Sequence, residues 1–148
     1  GQWFTGPAQQ VIGPMFAGYK PEDSGRDIGD SAITETFGIG GAAMIAAPGV
    51  TRFVGAGGME AARAVSEEMA EIYLERNMQL QIPGWDFQGA CLGLDIRRVV
   101  ETGITPLINT GIAHKEAGIG QIGAGTVRAP LACFEQALEA LAESMGIG

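Results

Sequence analysis

The chain has 148 residues, with 9 Lys+Arg against 17 Asp+Glu and a formal net charge of −8 at pH 7, a balance that argues against binding a nucleic-acid backbone. Hydrophobic residues make up 46% and charged residues 18%, the opposite of a disordered chain's bias, and the length suits one domain spanning 1–148. The 24 glycines and 7 prolines form about a fifth of the chain without collagen's every-third period, so they read as tight turns and close backbone approaches.

The longest uncharged stretch, Thr36 to Thr51, is Gly-rich, broken by Pro48, and shorter than the ~20 apolar residues of a spanning helix. No secretory signal pattern opens the chain, and no membrane association is expected. Cys91 and Cys133 are too few and too unpatterned for a disulfide framework or zinc site, and they read as buried thiols of a cytoplasmic protein. The first residue is Gly rather than Met, so the sequence reads as a processed chain or a piece of a longer one.

From residue 1 to residue 29 the pattern is irregular, with a short strand candidate at Met15-Phe16-Ala17 and a polar loop from Tyr19 to Asp27. A first helix is expected from Asp30-Ser31, where either residue can cap the opening turn. Its Gly- and Ala-rich surface predicts burial nearly all round, until Pro48-Gly49 ends or bends it. A second helix from Gly58 to Asn77 carries the stripe Met59, Ala62, Val65, Met69, Ile72 and Tyr73, with Glu60, Glu67, Glu71 and Glu75 as a solvated face. A short helix follows Asp95 as cap and stops at Gly103. The last helix starts at Pro130 and places Leu131, Phe134, Leu138, Leu141 and Met145 on one side. Strands are expected at Gln79–Ile82, at Thr105–Ile108 and, more weakly, at Phe87–Leu92. The interleaving predicts a mixed α/β fold in which three longer helices pack with a small sheet and Gly-rich loops.

Two segments hold most of the polar candidates. In the first, the amides of a helix start and the hydroxyls of Ser31 and Thr34 would attract a carboxylate or phosphate. Asp27 and Asp30 stand in the same place, either as caps or as substrate contacts, with Arg26 offsetting their charge. A divalent metal shared with Glu22 or Asp23 fits no calcium-loop spacing, and no metal or cofactor is expected. The second segment runs Asn109-Thr110-Gly111-Ile112-Ala113-His114-Lys115 and continues through Gly118, Gly120 and Gly123. The glycines formally satisfy G-x-G-x-x-G, but no helix opens after them, which excludes a dinucleotide fingerprint. They are left as tight turns or as a loop whose amides nest a small anion. His114, the single histidine, has an unperturbed pKa suited to proton transfer near neutrality. Neither cysteine has a neighbouring base in sequence, so neither reads as a nucleophile.

The block from Gly29 to Gly41, with Ala46-Ala47-Pro48, resembles the YlbE/YahG-like family of bacterial proteins. The block from Asp95 to Ala113, the stretch from Gly118 to Pro130 and Cys133-Phe134-Glu135 continue that resemblance. It implies the C-terminal part of a protein several hundred residues long. One branch of the family is an oxamate carbamoyltransferase subunit of anaerobic allantoin breakdown, encoded with an acyl-CoA-synthetase-like partner, and it turns oxalurate and phosphate into oxamate and carbamoyl phosphate. The resemblance therefore implies a small anionic metabolite and a homo- or hetero-oligomer. It transfers no catalytic residues. On the residues themselves, His114 is the expected catalytic group. Asp30, Ser31, Thr34, Asn109, Thr110, Gly111, Lys115, Gly120, Gly123 and Arg128 are the expected substrate or anion contacts, with Arg26 or Arg128 as a fork for carboxylate. The competing expectation is a non-catalytic assembly domain that supports a partner subunit. A metal-dependent hydrolase would need several carboxylates converging on one point.

Overall fold

The structure is a computed structural model that describes residues 1–147. Its architecture is mixed α/β, with two small antiparallel sheets and helices packed around them. The first sheet pairs β1 (Tyr73–Ile82) with β2 (Gln88–Leu94), placing Arg76 opposite Cys91 and Asn77 opposite Ala90. The second pairs β3 (Leu107–Ala113) with β4 (Gln121–Arg128), placing Ile108 opposite Val127 and Ile112 opposite Gly123.

Two further stretches of chain close the second sheet into a ring. Ile12 N–H donates to the Thr126 carbonyl and Thr126 N–H to that of Ile12, each at 2.9 Å, so the N-terminal segment lies along β4. Asp27 N–H then donates to Gln9 O at 3.0 Å, and Gly25 N–H to Ala113 O at 2.8 Å, which returns the pairing to the end of β3. Val11, Ile108, Ile112, Ile122 and Val127 form the apolar cluster of this ring. The strand candidate Met15-Phe16-Ala17 is reduced to an isolated bridge of Met15 with Gly123 and a bond from Phe16 N–H to Ile122 O at 2.7 Å.

The stretch expected as a Gly-rich loop is largely strand β4. A Cβ on Gly13 would lie 2.1 Å from Ala124 O, and one on Gly125 would lie 2.3 Å from Ile12 O. These glycines are there because two backbones meet where no side chain fits. Ala124 N–H is taken up by Pro14 O at 3.2 Å, so it is not free to nest an anion.

The long first helix does not form. A 3-10 turn at Asp30–Ala32 runs into α1 (Ile33–Phe37), which stops at Gly38 with φ 79°. Gly38 packs so closely on β2 that a Cβ there would sit 1.9 Å from Cys91 O. A second 3-10 stretch, Gly41–Ala46, follows and buries Gly41, Ala42, Met44 and Ile45, while Ile33 and Phe37 face solvent. Pro48 does not end a helix but opens one, α2 (Pro48–Phe53), at the position where its missing N–H costs nothing.

Helix α3 (Met59–Ala70) ends seven residues before the expected Asn77. Ile72 and Tyr73 are buried as the stripe implied, but Tyr73 already belongs to β1. Pairing with β2 decides the conformation there, because the sequence from Tyr73 onward fits either period. Helix α4 (Ile96–Thr102) follows the expected signals, with Asp95 accepting from Arg97 N–H at 3.0 Å and Gly103 at φ 71°. The Arg97 guanidinium beside Asp95 holds its carboxyl below the usual carboxylate range, with the Arg97 backbone amide adding to the effect. Helix α5 (Leu131–Ser144) begins just after Pro130 and packs on α4. Its last turns leave Leu141 and Met145 exposed. The main core joins α3, the first sheet and α4 through Met69, Ile72, Trp85, Cys91 and Val99.

Candidate functional site

Between the chain segment 27–36, the start of β3, the end of β4 and the first turn of α5 lies a cavity of ≈ 340 Å³. Ile28, Ala32, Leu94, Ile108, Ala129 and Phe134 give it a mostly apolar wall, into which Asp27, Glu35, Thr36 and Arg128 bring polar groups. An apolar wall with a few fixed polar groups is the usual build of a small-molecule site.

Three of those polar groups are already committed, Thr36 by donating its hydroxyl to Ile33 O at 2.7 Å. Glu35 is 1% exposed; its Oε1 accepts from Gly41 N–H at 2.7 Å and its Oε2 from Ala42 N–H at 3.4 Å. Burial pushes its carboxyl above the ordinary range, against the pull of those two amides and the Thr34 hydroxyl. Gly40 makes this possible, since a Cβ there would stand 1.7 Å from Glu35 Oε1. Tyr73 locks the same turn by donating its hydroxyl to Glu35 O, and burial pushes the Tyr73 phenol up. Arg128 donates to Thr105 O at 2.7 Å and to Glu68 Oε2 at 2.6 Å. The guanidinium is thereby held in place at the cavity edge with further donors of its fork unused. Asp27 differs from these three: its Oδ1 is shut off from solvent and has no hydrogen-bond partner.

The expected site residues are dispersed. Arg128 lines the cavity itself. Asp30, Ser31 and Thr34 interleave with the lining residues Gly29, Ala32 and Glu35, and the 3-10 turn that carries Asp30 and Ser31 packs against β3. Thr34 Oγ1 donates back to Ser31 O at 2.7 Å. Asn109, Thr110 and Gly111 are strand residues rather than loop residues. Asn109 and Gly111 alternate with buried Ile108, which puts them on the other face of β3 from the cavity wall. Asn109 Oδ1 is also buried without a partner.

His114 and Lys115 follow the far end of β3, six residues from Ile108 and thus roughly 20 Å along an extended chain. There His114 Nδ1 accepts from Glu116 N–H at 2.9 Å, and the Tyr19 ring meets the imidazole edge-on at 5.9 Å. Lys115 Nζ donates to Glu22 O at 2.6 Å. Gly120 accepts from His114 N–H at 2.9 Å in the β3–β4 turn, and Gly123 lies in β4 against Pro14. Arg26, the alternative fork, donates to Ala8 O at 2.7 Å. The structure thus places Arg128 on the cavity wall, sets Asp30, Ser31 and Thr34 next in sequence to lining residues without lining it themselves, and leaves His114, Lys115 and Gly120 outside the lining, with His114 paired to Ser24.

Sequence reasoning gave Glu35 no role, although it has the most enclosed carboxylate among the described residues. The one signal was Gly40-Gly41 a few residues downstream, which provides the space its carboxylate needs. Cys91 is buried beside Arg76, and Cys133 donates to Pro130 O at 2.9 Å; burial pushes both thiols up, as suits unreactive cysteines. Among the described residues no group of three or more His, Cys, Asp or Glu side chains is gathered as a metal ion would need, and no helix is long and apolar enough to cross a membrane.

No protein-family model matches the chain. It is 87% identical over 147 residues to the oxamate carbamoyltransferase subunit AllG of Escherichia coli (strain K12), covering 99% of this chain and 35% of that protein. It is 60% identical over 147 residues to the uncharacterized protein YahG of the same strain, covering 31% of it. Among solved structures, a conserved protein of unknown function from Enterococcus faecalis V583 superposes with a TM-score of 0.91 at 56% identity, over 96% of this chain and 34% of that one. The chain therefore spans about a third of the length of each relative it matches.

Proposed function

We propose that this chain belongs to an enzyme subunit that moves a carbamoyl group from oxalurate to phosphate, on the ground of its 87% identity over 147 residues to part of an oxamate carbamoyltransferase subunit and its 60% identity to part of YahG. In the reaction a phosphate oxygen forms a bond to the carbamoyl carbon. The bond from that carbon to the oxamate nitrogen breaks, and that nitrogen takes a proton. The identity to the named subunit carries this reading.

The cavity beside Arg128 supports a role for this part of the polypeptide in holding the metabolite. Small carboxylates suit a pre-positioned guanidinium, which can meet both carboxylate oxygens. Arg128 has that position, and the Glu68 and Thr105 contacts fix its direction. His114, Lys115 and Gly120, at the β3–β4 turn, would serve a second component, phosphate or a partner surface, rather than this cavity. The test is carbamoyl phosphate formation from oxalurate and phosphate by the full-length protein with its acyl-CoA-synthetase-like partner. Product is expected with both subunits present; no product under any combination overturns the proposal.

A second reading, assembly, is favoured by one observation. Leu74, Met78, Leu80 and Phe87, on and beside the first sheet, are 42–62% exposed. Apolar side chains this crowded on one hairpin mark an interaction face. Met78→Glu with Leu80→Glu separates the readings: loss of the partner on co-purification supports assembly through this hairpin, and retained binding removes it.

A further inference from the structure

We infer that Asp27 determines specificity at this cavity by accepting a hydrogen bond from the amide nitrogen of the metabolite while Arg128 meets its carboxylate. The inference rests on the carbamoyl-transfer reading and adds to it the residue that tells an amide from a second carboxylate.

Its basis is the orphan oxygen. Asp27 lies in the cavity wall, and its Oδ1 is enclosed without a donor. Folded proteins seldom leave an enclosed acceptor unpaired, and such groups mark places where something else supplies the partner. The backbone around Asp27 is fixed, with its N–H donating to Gln9 O at 3.0 Å. The neighbouring Arg26 guanidinium is turned away to Ala8 O. The other carboxylate in the wall, Glu35, is satisfied by the amides of Gly41 and Ala42.

An ionised carboxylate only accepts hydrogen bonds. It repels carboxylate and phosphate and attracts N–H. Its terminal torsion is broad and two-fold, so either oxygen can turn to a ligand. Oxamate and oxalurate carry an amide nitrogen at one end and a carboxylate at the other. Asp27 and Arg128, on separate elements of one wall, sort those two ends. Asp27 thus selects one kind of anion.

The experiment is calorimetric titration of the full-length protein, with its partner subunit, using oxamate and oxalate. Oxalate has the same size but a second carboxylate in place of the amide. Wild type is expected to prefer oxamate by about 10-fold or more, and Asp27→Ala to weaken oxamate by about 10- to 100-fold while leaving oxalate unchanged or tighter. Asp27→Asn keeps an acceptor oxygen and is expected between the two. Oxamate affinity unchanged in Asp27→Ala overturns the inference, as does equal loss of both ligands, the mark of a merely structural role. If wild type binds neither ligand, or Arg128→Ala leaves both affinities intact, the cavity is not the metabolite site; the functional reading then fails first, and this inference with it.

Discussion

Glu35→Ala perturbs the turn on which one side of the cavity is built, and its effect can be worked from the contacts. The substitution leaves the amides of Gly41 and Ala42, both buried, without their acceptors. The 2.7 Å bond is the stronger; an enclosed amide left unpaired costs about 1–3 kcal/mol, and the 3.4 Å contact adds less. Loss of the buried methylene adds about 0.8 kcal/mol, and relief from burying a carboxylate gives part of this back. The net expectation is a loss of about 2–4 kcal/mol, a large share of a typical domain's stability. Glu35→Gln keeps one acceptor and should lose about 1 kcal/mol.

The same carboxyl sets a pH slope. Its folded pKa lies above 4.5, so its ionisation opposes folding. The stability it contributes is complete below about pH 4.5 and is lost as pH rises through the folded value. Urea unfolding followed through buried Trp85, with Trp3 exposed and insensitive, reads both effects. An Ala variant within about 0.5 kcal/mol of wild type, or a Gln variant that keeps the wild-type slope above pH 4.5, refutes this account of the turn.

Gly125→Ala should destabilise the chain by about 2 kcal/mol or more, because its Cβ would meet Ile12 O at 2.3 Å; hydrogen exchange should quicken at Ile12 and Thr126. Asp95→Ala removes the cap of α4 and should cost about 1 kcal/mol near pH 7 in thermal unfolding. Since Asp95 has a depressed folded pKa, that difference should be full above about pH 4 and vanish as pH falls through the folded value. His114→Ala in the reconstituted enzyme should leave the KM for oxalurate unchanged, because the imidazole is not among the side chains that line the cavity. A raised KM would return it to the cavity.

Signals carried by single residues were legible in the sequence. Asp95 and Gly103 bracket α4 because a cap and a left-handed stop act locally. Of the stripe Met59, Ala62, Val65, Met69, Ile72 and Tyr73, all but exposed Met59 and half-buried Val65 are buried, because a core accepts apolar side chains from either a helix or a strand. What failed depends on partners remote in sequence. Nothing in Gly38-Ile39-Gly40-Gly41 shows that Cys91 and Leu107 pack against it, so the first helix was drawn through a break. Gly123 and Gly125 carry no sign that residues 12–14 lie across them, so the sequence reads as a loop where the chain forms a strand. Asn109 and His114 are close in sequence to cavity residues, but strand alternation and strand length carry them elsewhere.

The central claim is that Arg128 anchors the metabolite's carboxylate, and the KM for oxalurate in the reconstituted full-length enzyme tests it most directly. Arg128→Ala should raise that KM by about 10-fold or more, while Glu68→Gln, which keeps an oxygen beside the guanidinium, should leave it nearly unchanged. An unaltered KM in a folded, assembled Arg128→Ala enzyme would contradict the claim.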